Sequence, residues 1–404
     1  MAAIQTQCCV VGGGPAGMML GLLLARAGVK VAVLEKHGDF LRDFRGDTIH
    51  PSTTNVMDEL GLLDAFLKLP HRKVVRFGAQ FGEERLTVAD FSHLPVRCGY
   101  IAMMPQWDFL DFIADQGRRY PTFSLLMRAE ATGLVEKGGR VVGVRATVDG
   151  APQEIRADLV VGADGRRSVV REAAGFRVKV LGAPMDVLWF RLSRKPDDKA
   201  ETMGRFDNGS ILVMLDRGDY WQCAYVIAKG SADKVRAEGI ASFRAIVARL
   251  MPFLSDRLHE LATVDDLKLL AVGVERLERW WKPGLLCIGD AAHTMSPVGG
   301  VGVNIAVQDA VAASNLLAVP LREGRLRDSD LAAVQARRLW PVRATQALQV
   351  FLQNRMIAPT LAGTRPLRAP LVVRLFDRFP VLRRLPARMM GMGVQPEHVK
   401  TGPA

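Results

Sequence analysis

Apolar runs of strand length, each closed by a glycine or an acidic residue, alternate with helical stretches along most of this chain. Residues 8–11 (Cys-Cys-Val-Val) form a first buried run that ends at Gly12. An apolar helical stretch over 18–27 follows and stops at Gly28, a residue suited to closing a helix. A second run, 29–34, ends at Glu35. Strand, helix and strand in that order predict the opening of a doubly wound α/β unit.

Further along, a helix is expected from Thr53 or Thr54 to Leu60, before Gly61, and an amphipathic helix over 107–120. Residues 73–89 alternate weakly and predict strands, as do 125–148 around a Gly138-Gly139 turn. Another apolar strand, 157–162, delivers Ala163-Asp164-Gly165. From about 178 to 271 the pattern changes. Stretches 185–192, 210–215 and 220–228 are β-rich and carry aromatics, polar turns separate them, and one helix is expected over 232–250. A last apolar run, 285–288, leads into the glycine- and proline-rich stretch 289–304, with helices expected over 306–319 and 328–356.

These elements predict an α/β protein with a discontinuous organisation. A Rossmann-like domain is drawn from 1–72, 98–177 and 276–360, and a β-sheet domain from 73–97 and 178–275 is inserted into it. C-terminal helices and the segment 361–404 complete the chain. Within that segment, 364–392 alternates Leu, Val, Phe and Met with Arg365, Arg368, Arg374, Arg378, Arg383, Arg384 and Arg388, offset only by Asp377 and interrupted by prolines. Such a stretch packs one face on its own protein or lies on a membrane surface.

Composition changes this picture little. The 404 residues leave room for two domains, and 49% hydrophobic residues suffice for packed cores. The net charge is +12, yet the arginines are spread and no nucleic-acid motif is present, so no nucleic-acid partner is expected. Five cysteines (Cys8, Cys9, Cys98, Cys223, Cys287) lack CxxC spacing and predict buried thiols in a reducing, cytoplasmic setting, with no metal site. Glycines interrupt the apolar N-terminus and no basic region precedes it, so no secretory signal is expected. No uninterrupted apolar stretch of membrane-spanning length is seen either.

The chemistry lies in three motifs. Gly12, Gly14 and Gly17, with Pro15 and Ala16 between the last two, form GxGxxG between a strand and a helix. There the glycines permit a tight turn, close approach of a pyrophosphate and close helix–strand packing. Glu35, beside Lys36, follows about 20 residues later, where a carboxylate can hold ribose hydroxyls. This much fits NAD or FAD equally. The second motif is Asp164-Gly165 and the third is Gly289-Asp290, whose glycine-rich loop runs through Pro297, Gly300, Gly302 and Val303 to Asn304. A helix N-terminus behind bare backbone favours negative charge on a ligand.

In this order and spacing the three motifs resemble the class A flavoprotein monooxygenases, the para-hydroxybenzoate hydroxylase-like family, over about residues 8–350, in the form of its shorter members. The resemblance implies FAD as cofactor, NADPH or NADH as transient co-substrate, and O2. The implied reaction is hydroxylation of an electron-rich aromatic (a phenol, quinolone or polyketide-like compound) through a C4a-hydroperoxyflavin. Carried over by position, Glu35 binds the adenosine ribose, Arg45 the phosphates and Gln106 the flavin. Asp164 supports FAD and nicotinamide docking, and Asp290 binds the ribityl chain. Residues 297–304 wrap the isoalloxazine, with Pro297, Gly302 and Val303 nearest the reacting ring. Val301 departs from the polar residues that other members carry there, and the family's substrate-binding tyrosines and arginine have no clear counterpart. For the general base that would deprotonate a phenol, Tyr220, Tyr225 and Arg191 of the inserted domain are candidates. His293 is expected to make a structural hydrogen bond, and His50 has a weaker claim to the chemistry. The alternative reading is an FAD-dependent reductase or dehydrogenase of a lipid-like substrate, akin to geranylgeranyl reductases.

Overall fold

A computed structural model describes residues 3–41, 48–198, 202–363 and 368–404. Strand β1 (Ile4–Val11) leads through a glycine turn into α1 (Pro15–Arg26) and β2 (Val31–Leu34). Helix α2 (Pro51–Glu59) precedes the hairpin β3–β4 (Arg76–Phe81, Glu84–Asp90). Helix α3 (Gln106–Gly117) and β5 (Phe123–Leu126) are followed by β6 (Ala129–Lys137), β7 (Arg140–Val148) and β8 (Ala151–Gly162). Next come β9 (Met185–Ser193), β10 (Met203–Asp207), β11 (Ser210–Asp216), β12 (Tyr220–Ala228), α4 (Ala232–Leu250) and β13 (Lys268–Leu270). Short strands β14 (Trp281–Lys282) and β15 (Leu285–Cys287) lead to α5 (Gly302–Arg322) and α6 (Asp328–Leu352). Two short helices, α7 (Leu371–Arg378) and α8 (Arg384–Gly391), precede the C-terminal stretch 392–404.

Two large sheets carry the architecture. The first has the order β14-β15-β8-β1-β2-β5, with β7 between β8 and β6 as an antiparallel extension. Its centre is parallel: Cys8 pairs with Leu159 on one side and Val31 on the other, and Val160 pairs with Leu285. These strands read as unbroken apolar runs because helices cover both faces of a parallel sheet. Helix α1 is buried from Ala16 to Ala25, and each of its leucines contributes about 1.5–3 kcal/mol by leaving water. Helix α5 is long and apolar enough to cross a membrane, but 78% of its apolar window is buried inside the protein.

The second sheet has the order β13-β9-β12-β11-β10-β3-β4. Along β12, Trp221, Cys223, Tyr225 and Ile227 join a core with Phe243, Val247 and Leu250 of α4. The opposite face presents Met185, Val187, Ile211, Ala224 and Val226, which cluster with Val272, Ile357 and, from the glycine-rich loop, Val298. One face of this sheet therefore looks toward the loop.

Several boundaries differ from the sequence expectation. Helix α5 begins at Gly302 rather than 306, so the last loop residues are already helical. The helix expected to end at 356 loses α geometry after Leu352 and widens into a π turn, Gln353–Ile357. All five cysteines are free and buried.

Candidate active site

The three motifs sit side by side at the carboxyl ends of β1, β8 and β15, the place where open parallel sheets bind ligands. Gly12 has a φ of +108°, and a Cβ there would stand 2.4 Å from the Ala163 carbonyl oxygen. Its N–H donates to Leu34 O at 2.8 Å. A Cβ on Gly17 would strike Gly12 O at 1.9 Å. These two glycines are packing requirements. Gly14 is different: a Cβ there would meet nothing within 4 Å among the described residues. It is the N-cap of α1, with no side-chain cap and no acidic residue in the first turn. A bare helix N-terminus facing open space is suited to a phosphate.

Glu35 is buried at the end of β2. Its Oε2 accepts from Gly13 N at 3.1 Å and its Oε1 from His37 N at 3.0 Å, which locks the carboxylate beside the turn. Lys36 is exposed. Asp164 accepts from Ser168 Oγ at 2.5 Å and from Val170 N at 3.2 Å, so it braces the short helix Val169–Ala173. Burial pushes its carboxyl above the ordinary value, more than these hydrogen bonds lower it. Asp290 Oδ2 accepts from Arg166 Nε at 3.2 Å, which ties the second motif to the third. Gly289 completes the junction: a Cβ there would lie 3.0 Å from that of Ala16 and 3.4 Å from that of Ala306.

The loop before α5 is held from two sides. On one, Thr48 Oγ1 donates to Gly300 O at 2.8 Å, and Asn304 Oδ1 accepts from His50 N at 2.9 Å and Thr53 Oγ1 at 2.7 Å. On the other, three buried glutamines, Gln346 and Gln349 of α6 and Gln353 at the start of the π turn, grip the chain at residues 294–298. Gln346 Nε2 donates to Thr294 O at 3.0 Å. Gln349 takes Ser296 N at 3.0 Å and donates to Ser296 O and Val298 O at 3.0 and 2.9 Å. Gln353 Nε2 donates to Ser296 Oγ at 2.6 Å. Pro297 is half-buried, and its carbonyl accepts from Gly300 N at 3.0 Å. The N-terminus of α5 has no side-chain cap, and a Cβ on Gly302 would meet nothing within 4 Å. Val303 and Asn304 are buried behind it.

Beneath the loop lies a fully buried charged cluster. Asp309 binds Gly289 N at 3.0 Å, His293 Nε2 and Arg338 Nε, and Arg338 reaches Glu397 Oε1 at 3.4 Å. His293 thus has the structural hydrogen bond expected of it. His50 Nδ1 lies 2.8 Å from Met390 O, and burial lowers its pKa to about 4 despite that hydrogen bond.

Of the remaining sequence candidates, Gln106 is the first residue of α3 and half-buried. Arg45 lies outside the described residues. Tyr225 is a correction: its ring packs edge-on against Phe243 at 5.4 Å, on the face of the sheet turned away from the loop. Tyr220 and Arg191 lie on the other face, in register with Ser193 and Gln222 respectively. The glutamine series and the Asp309 cluster escaped sequence reasoning. Their signal was present as polar residues at helical spacing within helices otherwise suited to burial.

The site fits FAD. Two uncapped helix N-termini stand at Gly14 and Gly302, and the carboxylates of Glu35 and Asp290 follow β2 and β15 at the same edge of the parallel sheet, with two strands between them. A family model described as "FAD binding domain" matches residues 5–347. The chain belongs to this family of FAD-dependent aromatic hydroxylases. It is 34% identical over 388 residues to 6-methylpretetramide 4-monooxygenase of Streptomyces rimosus, covering 94% of this chain and 92% of that one. Against rifampicin monooxygenase of Streptomyces venezuelae it is 30% identical over 318 residues, covering 74% of this chain and 61% of the relative. The hydroxylase fold extends to solved structures. For p-nitrophenol 4-monooxygenase PnpA of Pseudomonas putida the TM-score is 0.79 at 20% identity, over 98% of this chain and 100% of that one. For pqsL, a probable FAD-dependent monooxygenase of Pseudomonas aeruginosa, it is 0.74 at 22%, over 89% and 98%. This flavoprotein monooxygenase therefore uses FAD, with NAD(P)H as the family's typical reductant.

Proposed function

We propose that this monooxygenase hydroxylates a fused-ring, polyketide-like aromatic. The supporting observation is the near full-length match to a relative named for acting on 6-methylpretetramide. The overall balance is one NAD(P)H, one proton, one O2 and one ring C–H giving NAD(P)+, water and one phenolic C–OH. Bound FAD supplies the oxygen activation and the transfer to the ring.

The chain's own residues have four tasks in this reading. The α1 N-terminus at Gly14 to Ala16 holds the pyrophosphate, Glu35 the adenosine ribose and Asp290 the ribityl hydroxyls. Asp164 and Gln106 line the same groove. Backbone amides of Gly302 and Val303 at the start of α5 stabilise negative charge on the pyrimidine edge of the ring system, where a helix N-terminus is worth most without water. The sheet face carrying Met185, Val187, Ile211 and Val226 meets Val298 across the loop and keeps water from the reacting carbon. The inserted sheet is the substrate domain.

The test is NAD(P)H oxidation in air by FAD-loaded protein, against a panel of polycyclic and simple phenols, with peroxide and product mass recorded. Substrate-stimulated oxidation with a product heavier by one oxygen supports the reading. Stimulation only by simple phenols would remove the polyketide assignment. A reduced product, with no oxygen gained, would restore the lipid reductase alternative.

A further inference from the structure

Helices α7 and α8 and the turn between them, 379–383, present apolar side chains outward. Leu371, Val372, Leu375, Phe379, Val381, Leu382, Leu385 and Met389 are all exposed, with Leu371 77% and Val381 67% accessible. The same stretch is anchored on its inner face. Val373 packs with Ala79, Phe81 and Leu86 of the β3–β4 hairpin, and Ala387 packs with Val74, Ala89 and Phe91. Thr87 N donates to Asp377 Oδ1 at 2.9 Å, and Arg374 pairs with Glu84 at 2.8 Å. These helices are thus a docked platform whose outer surface has no partner within the described chain. Contiguous exposed apolar side chains of this extent mark a contact surface.

Charge identifies what the platform contacts. Residues 368–392 hold six arginines and one acid, Asp377. Arg383 is spent on Phe376 O and Asp377 O, and Arg374 on Glu84. Arg378 and Arg388 make no ion pair among the described residues and flank the apolar stripe. We infer that α7 and α8 dock this enzyme on an anionic lipid bilayer, with the apolar side chains entering the interface and the arginines among the headgroups. A ridge of leucine, valine and phenylalanine bordered by arginine matches both layers of such an interface. Two copies of the surface face to face would oppose like charges, which disfavours self-association through it. The inference is independent of which aromatic the enzyme hydroxylates.

Purified, FAD-loaded protein is sedimented with phosphatidylcholine vesicles and with mixed phosphatidylcholine–phosphatidylglycerol vesicles, at low and high salt. Binding to the mixed vesicles is expected, weakening by about tenfold at high salt as the charges are screened. The pairs Phe379→Ser with Leu382→Ser, and Arg378→Gln with Arg388→Gln, should each reduce that binding by about tenfold. Their flavin absorbance, thermal midpoint and NAD(P)H oxidation in solution should not change. No sedimentation with anionic vesicles, equal binding to the uncharged ones, or undiminished binding by both variants would overturn the inference. A dimer seen by sedimentation velocity that both variants abolish, with no vesicle binding, would assign the surface to a second copy instead.

Discussion

His293 Nε2 and Asp309 Oδ2 lie 2.6 Å apart, with both side chains closed off from solvent. Asp309 also holds the N–H of Gly289, the residue before Asp290, so a buried charge fixes the backbone that presents the carboxylate we propose for the ribityl chain. Burial pushes the Asp309 carboxyl up, but His293 and then Arg338 outweigh it and hold the pKa below the ordinary 3.8. A depressed carboxylate contributes stability that is complete above its unfolded value and is lost as pH falls through the folded one. Asp309→Asn should cost about 3–5 kcal/mol at neutral pH, the range for removing one partner of a buried ion pair. Urea unfolding as a function of pH checks both points. The wild type should show an acid limb below about pH 4 that the variant lacks.

His50 titrates with the same consequence in a higher pH window. Its pKa falls from 6.5 to about 4 in the folded chain, so the unfolded chain binds the proton first as pH drops. Stability is full above pH 6.5 and declines toward pH 4, by up to about 1.4 kcal/mol per pH unit. His50→Gln should flatten that slope. An unchanged slope in denaturant midpoints would show that His50 does not carry it.

Gly12 and Gly14 separate packing from binding. Gly12→Ala places a methyl against Ala163 O and should prevent normal folding. Gly14→Ala meets open space from an ordinary backbone conformation (φ −75°), so the apoprotein should keep its thermal midpoint. Its FAD affinity should drop by about tenfold, since the methyl enters the space where a phosphate approaches the helix. Flavin fluorescence titration measures the second effect, and retained affinity would remove Gly14 from the cradle.

Gln349→Met keeps the side-chain volume but strands Ser296 N, Ser296 O and Val298 O. A loss of about 2–4 kcal/mol is expected from the unpaired backbone groups, together with faster FAD release and more peroxide per NAD(P)H. Gln349→Glu restores one acceptor but neither donor, so it should recover only part of the loss. Equal flavin release from all three proteins would reduce Gln349 to a packing residue.

The two faces of the inserted sheet give a kinetic contrast. Tyr225→Phe removes only a hydroxyl 3.3 Å from Ser210 on the far face and should leave KM within about twofold. Trp189 has a buried indole N–H without a partner among the described residues, on the face turned toward Val298. Trp189→Phe should raise KM more than Tyr225→Phe does, and the reverse order would move the substrate away from this face.

The motifs were legible because each is local. A strand end, two or three glycines and an acid within a few residues carry their own geometric requirement, as Gly12, Asp164 and Asp290 show. What joins them is not local. The Arg166–Asp290 contact and the parallel pairing of β10 with β3, Met203 opposite Gly78, link residues more than a hundred positions apart. Tyr225 was unreadable for another reason. Strand β12 is buried on both faces from Trp221 to Ile227, so its sequence shows no alternation to tell one face from the other. Asp164 braces the helix at Val169 with the same carboxylate that the motif led us to propose for the ligand.

Arg338, Gln346, Gln349 and Gln353 reach their targets only because helical spacing keeps them in phase on one face, toward Asp309 and residues 294–298. One residue added or removed between Arg338 and Gln346 would turn every later side chain by about 100° and disengage all three glutamines together. Evolution can therefore exchange exposed residues of this helix such as Trp340 and Phe351 freely, while the count between Arg338 and Gln353 stays frozen. Lineages descended from this architecture should record their insertions and deletions elsewhere.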